Sequence, residues 1–208
     1  DKGIYTFQSI GSVAICDMVG SGNALLDACA APGGKSVNLA DKFSSVTSFE
    51  LHEHRVELIK DYARRMNKTN ITAVCKDSSV YDEEYSEKFD AVLCDVPCSG
   101  YGVIKDNPDI KLRRTEEDVE KISETQLKIL EICSRYVKKG GYLYYSTCSV
   151  FKSENEGVCL EFLRKHADFA ECKTEPKLNH LKMKVGVCFL PDLSFGAGFY
   201  FCKFKKSE

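Results

Sequence analysis

Two cysteines stand at positions where a thiol can act as a nucleophile. Cys98 ends the run Asp-Val-Pro-Cys and Cys148 ends Ser-Thr-Cys, and each run follows an apolar stretch that predicts a β-strand. A thiolate attacks electron-poor carbon, and a neighbouring acid such as Asp95 can handle the accompanying proton. In a doubly wound sheet these two strands are neighbours, so both sulfur atoms would face one pocket. A lone cysteine at a strand end is usually inert, whereas this pair beside an acid indicates catalysis.

A glycine-rich turn lies within Ala24–Ser36, which reads Ala-Leu-Leu-Asp-Ala-Cys-Ala-Ala-Pro-Gly-Gly-Lys-Ser. An apolar run leads into Pro-Gly-Gly and a helical pattern follows, which is the arrangement that receives a nucleotide-like cofactor in α/β sheets. A phosphate-loop nucleotidase is an alternative, but that loop needs a glycine where Cys29 stands. The Gly-x-Gly-x-x-Gly pattern is also absent, so the turn predicts a cofactor loop of another kind.

Acidic residues follow three of the predicted strands. Glu50 ends the second strand, Asp77 follows the third and Asp95 ends the fourth. Ligands of open α/β sheets bind beyond the carboxyl ends of the strands. A carboxylate there can accept hydrogen bonds from ribose hydroxyls or from an adenine amino group. An isolated acid at a strand end is more often a turn residue, but three in register with the turn predict an adenosine-type cofactor.

The composition favours one domain in a reducing compartment. The 208 residues carry a net charge of −2, which neither favours nor excludes nucleic acid as a partner. At this length we expect a single domain with a full core. No apolar run approaches the length of a membrane span, and the chain does not open on a signal peptide pattern. We therefore expect a cytoplasmic protein without membrane association.

The cysteine pattern bears on metal binding. The eleven cysteines include no Cys-x-x-Cys pair, which is typical of reduced thiols rather than of a disulfide scaffold. Zinc is a competing interpretation, but only Cys94 and Cys98 are close in sequence and no histidine is near them. We expect no metal.

Alternating strand and helix patterns predict βαβ units and a mostly parallel sheet. The expected strands are 24–28, 46–50, 71–75, 89–95, 142–146, 169–172, 186–190 and 199–204, the last two as a hairpin. The expected helices are 35–43, 53–66, 116–138 and 154–166, with a lead-in helix within residues 4–20. Gly140-Gly141 should end the third of these helices, and Ser153 should cap the fourth.

Four motifs stand out when the whole chain is considered together. They are Asp27-Ala-Cys-Ala-Ala-Pro-Gly-Gly-Lys35, Asp95-Val-Pro-Cys-Ser-Gly100, Asn107-Pro-Asp-Ile-Lys-Leu-Arg-Arg114 and Tyr145-Ser-Thr-Cys-Ser149. Asn155-Glu156 followed by Phe162-Leu163 also fits. With these motifs the chain resembles the catalytic domain of the RNA cytosine-5 methyltransferases, in particular the bacterial ribosomal small-subunit methyltransferase B type. The resemblance covers the chain from about Phe7 to Phe204.

The resemblance implies a Rossmann-like fold that uses S-adenosyl-L-methionine, with a mostly parallel seven-stranded sheet and an antiparallel C-terminal strand. The cofactor would be held by Cys29, Ala30, Ala31, Pro32, Gly33, Gly34 and Lys35. Glu50 would bind the ribose, and Arg55 belongs to the same site. Asp77 would lie at the adenine, and Asp95 near the methionine end and the target base.

The resemblance also assigns roles to the two thiols. Cys148 matches the nucleophile that adds to carbon 6 of cytosine, and Cys98 matches the second cysteine, which releases the product. Asp95 would stabilise the charge that develops at ring nitrogen 3. The expected substrate is RNA, with small-subunit ribosomal RNA favoured over transfer RNA. A non-catalytic RNA-binding or ribosome-assembly factor is the alternative, and the intact cysteine pair and acid argue against it.

Basic and aromatic residues around the second cysteine motif are candidate RNA contacts. Lys105, Lys111, Arg113 and Arg114 could meet phosphates, and Tyr101 could stack on a nucleotide flipped out of its stack. A solvated charged loop is the alternative for any one of them.

The chain departs from the family pattern at three positions and in its domain content. Leu112 stands where many relatives have Trp, Ser36 where they often have Thr, and Ala197 where an Asp is common. We expect residues 1–208 to be a single, monomeric catalytic domain with a lead-in helix within 1–22. The helical RNA-binding domain that usually precedes this fold is missing from this sequence.

Overall fold

A computed structural model describes residues 3–113, 115–194, 196 and 198–208. Arg114 and Ala197, which the sequence analysis named, lie outside the described residues, as does the side chain of Arg113.

Strands and helices alternate through the first two thirds of the chain, and short strands follow. The strands are β1 Gly22–Asp27, β2 Phe43–Glu50, β3 Ile71–Cys75, β4 Phe89–Asp95, β5 Val137–Thr147, β6 Phe169–Glu171, β7 Leu181–Lys182, β8 Val187–Phe189 and β9 Phe199–Lys206. The α-helices are α1 Ile10–Met18, α2 Gly34–Leu39, α3 Glu53–Arg65, α4 Ile110–Arg113, α5 Glu116–Ser134 and α6 Glu156–Lys165.

All these strands join one mixed sheet. Its order is β3-β2-β1-β4-β5-β9-β8-β7, with β6 paired to β9. Strands β1 to β5 are mutually parallel, and β9 runs antiparallel to β5. The Rossmann-like sheet with an antiparallel C-terminal strand is thus confirmed, as is the β8–β9 hairpin pairing. In the described part of the chain the sheet has nine strands rather than seven, because β6 and β7 add short edge pairings.

The strand order reverses between β1 and β4, and this reversal decides where a ligand can enter. From β1 the chain builds outward through β2 and β3, and it then returns to place β4 on the other side of β1. At such a switch point the loops after the two central strands diverge and leave a crevice at their carboxyl ends. Asp27 and Asp95 end these two strands and so lie at its mouth.

Apolar side chains on both faces of the central strands explain why helices cover the sheet on two sides. Leu26 of β1 is fully buried in the cluster beneath α5 and α6, and its neighbour Leu25 is fully buried in the cluster beneath α1 and α2. Successive residues of a strand point to opposite faces, and a strand with both faces covered reads as an apolar run. The packed helices therefore fix the strand ends from both sides.

The predicted end of the long helix at Gly140-Gly141 is wrong. Helix α5 ends at Ser134, and the glycines lie inside β5. Pairing between β4 and β5 shifts register at this point, and Gly140 has φ +73°. A Cβ on Gly141 would lie 3.0 Å from the carbonyl oxygen of Asp90. The glycines serve a β-bulge, which needs the same backbone freedom as a helix C-terminus.

Two helix starts also differ from expectation. Helix α6 begins at Glu156 after Asn155, so Ser153 does not cap it. The lead-in helix is limited to Ile10–Met18, and Ser9 caps it by accepting a hydrogen bond from the backbone N–H of Ser12.

Candidate active site

The two cysteines of the sequence motifs meet at the carboxyl edge of the sheet. β4 and β5 are paired neighbours with Asp95 opposite Ser146, so the loops that follow them run side by side. The Sγ atoms of Cys98 and Cys148 are 2.9 Å apart, and both residues are half-buried free thiols. A single small molecule at this edge can therefore contact either sulfur.

Backbone packing holds the two cysteine loops together. The N–H of Gly102 donates to the carbonyl oxygen of Cys148 at 2.9 Å, and the N–H of Gly198 donates to the carbonyl of Gly102 at 2.7 Å. A Cβ on Gly102 would overlap the carbonyl oxygen of Gly198. Only glycine permits this approach, so the Cys98 loop is tied through Gly102 to the Cys148 loop.

The surroundings give the two thiols opposite properties. The pKa of Cys148 is lowered, because the Cys98 thiol donates a hydrogen bond to its sulfur. Burial and the Asp95 carboxylate act against this effect, and the Lys35 cation supports it. The same hydrogen bond raises the pKa of Cys98, and burial raises it further. A thiolate is the reactive form of cysteine. The geometry therefore favours Cys148 as the nucleophile and Cys98 as a neutral thiol that donates to it.

Asp95 is held by two donors beside this pair. Lys35 Nζ lies 2.6 Å from Asp95 Oδ2, and the Ser146 hydroxyl donates to Asp95 Oδ1 at 2.6 Å. Burial lowers the pKa of Lys35, but the ion pair with Asp95 outweighs it and the pKa is raised overall. Lys35 is therefore a permanent cation that joins the glycine-rich turn to the end of β4.

The glycine-rich turn borders a cavity of about 190 Å³. The cavity is lined by Phe7, Gln8, Ser12, Asp27, Cys29, Ala30, Ala31, Pro32, Gly34, Lys35, Tyr62 and Asp95. Gly33 has φ +104°, which a residue with a side chain rarely adopts, and its position at the start of α2 turns the chain around the cavity. Most of the turn residues predicted to hold a cofactor thus share one cavity wall.

Asp27 is an unusual member of this wall. Its Oδ2 accepts a hydrogen bond from the Ser36 hydroxyl at 2.7 Å. Its Oδ1 is buried and has no hydrogen-bond partner within the part of the chain that the structure describes. Burial raises the pKa of Asp27 to about 6. A buried acceptor without a partner costs free energy, which a ligand that donates a hydrogen bond would recover.

Glu50 and Arg55 flank the turn from the β2 side. Glu50 Oε1 accepts from the backbone N–H of His52 at 3.1 Å and from Arg55 Nη1 at 3.3 Å. Arg55 also donates to the carbonyl oxygen of Ala31 at 3.3 Å. The structure therefore brings both residues to the turn, although neither lines the 190 Å³ cavity.

Asp77 is exposed in the loop after β3. Its Oδ1 accepts from the backbone N–H of Ser79 at 2.8 Å, which is the turn geometry that the sequence analysis gave as the alternative. The neighbouring Ser78 hydroxyl donates to the carbonyl of Ala28, so this loop reaches the end of β1. Asp77 lies at the same edge of the sheet but outside the cavity wall.

The candidate RNA contacts divide into an aromatic residue at the site and a charged loop. Tyr101 packs against Phe151 with ring centroids 4.7 Å apart, and each follows one of the two cysteines by three residues. Lys105 and Lys111 are exposed farther along the same loop.

One functional candidate escaped the sequence motifs. Glu154 is fully buried, and its carboxylate accepts hydrogen bonds from both cysteine loops. In the sequence it reads as the first residue of a helix. One sequence feature could have indicated it. The run Ser-Glu-Asn-Glu after Cys148 contains more polar residues than the single capping residue that the start of a helix needs.

Comparison with known proteins identifies the kind of site. The family model described as 16S rRNA methyltransferase RsmB/F matches residues 18–205. The chain is 40% identical over 195 residues to the probable ribosomal RNA small subunit methyltransferase B of Bacillus subtilis, which covers 89% of this chain and 44% of that protein. It is 34% identical over 212 residues to the ribosomal RNA small subunit methyltransferase B of Photorhabdus laumondii, covering 99% and 48%.

A solved structure repeats the fold closely. The crystal structure of PH0851 superposes with a TM-score of 0.93 at 29% identity, covering 99% of this chain and 48% of that one. The chain thus spans about half the length of the relatives it matches. Among the described residues no helix has both the length and the apolar character needed to cross a bilayer.

Proposed function

Because this chain belongs to the RsmB/F family of 16S rRNA methyltransferases, we propose that it methylates carbon 5 of a cytosine in small-subunit ribosomal RNA. The two sulfur atoms 2.9 Å apart with opposite pKa shifts carry this proposal. One reactive thiolate and one neutral thiol at a single position suit a reaction that forms and then breaks a bond between sulfur and carbon. The chain spans about half the length of these relatives, so the activity of the whole protein is part of this proposal.

The methyl donor is S-adenosyl-L-methionine, and the residues at the turn fit it. The unpartnered Asp27 Oδ1 is an acceptor at the wall of the cavity, and six of the seven turn residues 29–35 line the same cavity. We assign the binding of the donor to the turn residues 29–35, with Glu50 and Arg55 at its ribose. When bound, the cofactor supplies an electrophilic methyl group.

Cys148 makes cytosine reactive. Carbon 5 of cytosine is a poor nucleophile, so the ring must first gain electron density. The Cys148 thiolate adds to carbon 6, forming a sulfur–carbon bond and moving the electron pair of the carbon 5–carbon 6 bond toward carbon 5. Carbon 5 then accepts the methyl group. Asp95, held in place by Lys35 and Ser146, stabilises the proton on ring nitrogen 3.

Release reverses the addition. The proton on carbon 5 passes to a water molecule, its bonding pair restores the double bond, and the sulfur–carbon 6 bond breaks with its pair returning to Cys148. A thiolate leaves more readily when a donor faces it, and Cys98 is the donor that the geometry provides. Cys98 therefore acts in product release.

Tyr101 and the lysines of its loop are proposed to bind the RNA. Tyr101 packs on Phe151, and each of them follows one of the two cysteines by three residues, which supports a role in stacking on a flipped base or its neighbour. Lys105 and Lys111 are exposed cations that can meet phosphates. A change of either lysine should weaken RNA binding in a salt-dependent manner without changing cofactor binding.

Two cysteine variants test the proposed chemistry. Cys148→Ala should abolish methylation of a 16S ribosomal RNA transcript. Cys98→Ala should accumulate an RNA–protein adduct that survives denaturing electrophoresis, because the covalent bond forms but is not released. Product release at the normal rate by Cys98→Ala would contradict the assignment.

Sequencing identifies the substrate. Bisulfite treatment distinguishes 5-methylcytosine from cytosine, so RNA from a strain that lacks the gene should lose one such signal in small-subunit ribosomal RNA. A signal lost from transfer RNA instead would retain the reaction and change the substrate. No change in either RNA would favour a non-catalytic factor.

A further inference from the structure

Glu154 is a buried carboxylate with four hydrogen-bond donors. Oε1 accepts from the backbone N–H of Ser99 at 2.7 Å and from Gln126 Nε2 at 3.2 Å. Oε2 accepts from the hydroxyls of Ser99 and Ser149, each at 2.5 Å. The residue is 0% exposed. Burying a charge is costly unless hydrogen bonds replace its water. Moving any of the four donors away would leave part of this buried charge without a partner, so the carboxylate holds the donors in place.

The donors are placed next to the two cysteines. Ser99 directly follows Cys98, and Ser149 directly follows Cys148. The carboxylate therefore joins the loop after β4 to the loop after β5 at the positions where the sulfur atoms meet. Gln126 of α5 adds a third attachment, since its Nε2 also donates to the carbonyl oxygen of Pro97 at 2.8 Å.

We propose that Glu154 is the positioning residue that holds Cys98 against Cys148. The consequence for release of the RNA rests on the function proposed above, whereas the distance between the two sulfur atoms does not. Glu154 makes no hydrogen bond to the cofactor turn among the described residues, so binding of the methyl donor should not depend on it.

Asn155 anchors the Cys148 loop on both sides of its sulfur, whereas beside Glu154 the Cys98 loop has the bond from Gln126 to Pro97, on one side. Asn155 Oδ1 accepts from the Thr147 hydroxyl at 2.5 Å, and Asn155 Nδ2 donates to the carbonyl oxygen of Ser149 at 3.0 Å. These bonds hold the Cys148 loop on both sides of the sulfur. Loss of the Glu154 contacts should therefore displace Cys98 more than Cys148. Product release should then be impaired more than the addition of Cys148 to the base.

The charge of Glu154 is a minor factor at Cys98. Its field is the last of the causes that raise the pKa of Cys98, after the hydrogen bond to Cys148, burial and the charge of Cys148. Loss of the charge alone should therefore leave Cys98 as a thiol able to donate to Cys148.

Two substitutions at Glu154 distinguish the effect of side-chain length from the effect of charge. Glu154→Asp keeps the charge but is one methylene too short to meet both serines. Glu154→Gln keeps the length and an acceptor for the Ser99 N–H, while serine hydroxyls can accept from its amide as well as donate. Glu156→Asp is the matched control, because Glu156 is a buried acid two residues farther along the chain, at the start of α6, and its Oε2 accepts only from the Lys184 N–H among its described bonds.

The first measurement is the covalent RNA adduct at steady state. Glu154→Asp should raise the adduct fraction about tenfold and lower kcat about 100-fold, as misplacement by about an ångström does, with KM for the methyl donor unchanged. Glu154→Gln and Glu156→Asp should stay near the wild type. A purely structural role would lower adduct and product together with the folded fraction, and that result overturns the proposal.

The second measurement needs no RNA. Diamide oxidises two thiols to a disulfide and is itself reduced to the hydrazine, so the rate of Cys98–Cys148 disulfide formation, followed by mass spectrometry, reports their proximity. Glu154→Asp should slow this rate about tenfold relative to the wild type and Glu156→Asp. An unchanged rate overturns the proposal. If Cys98→Ala gives no adduct, the proposed function fails, and the disulfide rate alone then decides the role of Glu154.

Discussion

Removing the Cys98 thiol should make Cys148 a weaker acid. The two sulfur atoms are 2.9 Å apart, and the hydrogen bond from Cys98 is the largest cause of the lowered pKa of Cys148. In Cys98→Ala that donor is lost, while Lys35 remains as a cation near the thiolate. The pKa of Cys148 should therefore rise in this variant.

The size of the change follows from the energy of the bond. A hydrogen bond to a charged group contributes about 1.5–3 kcal/mol, which corresponds to about a 10- to 100-fold change in an equilibrium constant. Below the pKa the thiolate fraction then falls about 10- to 100-fold. A more basic thiolate is also intrinsically more nucleophilic, with a Brønsted slope of about 0.4–0.5, so the alkylation rate falls only about 3- to 10-fold.

The assay is alkylation by iodoacetamide as a function of pH, with the Cys148 peptide quantified by mass spectrometry. Cys98→Ser is the matched control, because its hydroxyl keeps a donor at the same position and should retain most of the lowered pKa. A pH profile of Cys98→Ala that superposes on the wild type would refute the reasoning. So would an equal shift in Cys98→Ser, since loss of the sulfur and not of the donor would then be responsible.

Three further substitutions test the cofactor cavity and the loop packing. Burial raises the pKa of Asp27 from 3.8 to about 6, so the folded state binds a proton more tightly than the unfolded state. The free energy of unfolding therefore falls as the pH rises through this window, by an amount on the order of 3 kcal/mol. Asp27→Asn should remove that fall, which urea denaturation at several pH values measures. Glu50→Gln should weaken binding of S-adenosyl-L-methionine about 10- to 100-fold in calorimetry, since bonds to a charged acceptor contribute about 1.5–3 kcal/mol; an unchanged Kd would remove Glu50 from the site. Gly102→Ala, whose Cβ would lie 2.7 Å from the Cys148 carbonyl oxygen, should lower methylation about 100-fold with cofactor affinity retained.

Strand positions were readable from the sequence where burial is continuous. β4 lies at the predicted residues, because Phe89–Asp95 is buried along most of its length and ends in a polar residue. β3 also lies at the predicted residues although none of its residues is buried, because Ile71, Thr72 and Val74 are β-branched and favour a strand. The end of α5 was not readable, since Gly140-Gly141 suits a helix terminus and a bulge equally. The choice between them depends on pairing with β4, which no local pattern contains.

The site shows the same division. The cysteine pair and the turn were found because each carries its own motif directly after a strand. Glu154 was missed because its importance comes from donors 55 and five residues away, Ser99 and Ser149, which only the fold brings together. Asp77 shows the converse, because a strand-end acid that suits adenine on sequence grounds forms a local bond to Ser79.

Two identical side chains acquire different chemistry here from their contact with each other. The hydrogen bond between the two sulfur atoms is the first cause at both residues, and it lowers the pKa of Cys148 and raises that of Cys98. The neighbouring charges are secondary, since Asp95 acts to raise the pKa of Cys148 and comes before Lys35, which acts to lower it. The contrast between the two thiols therefore depends on the 2.9 Å contact, and a change that separates the sulfur atoms should remove the reactive thiolate and its donor together.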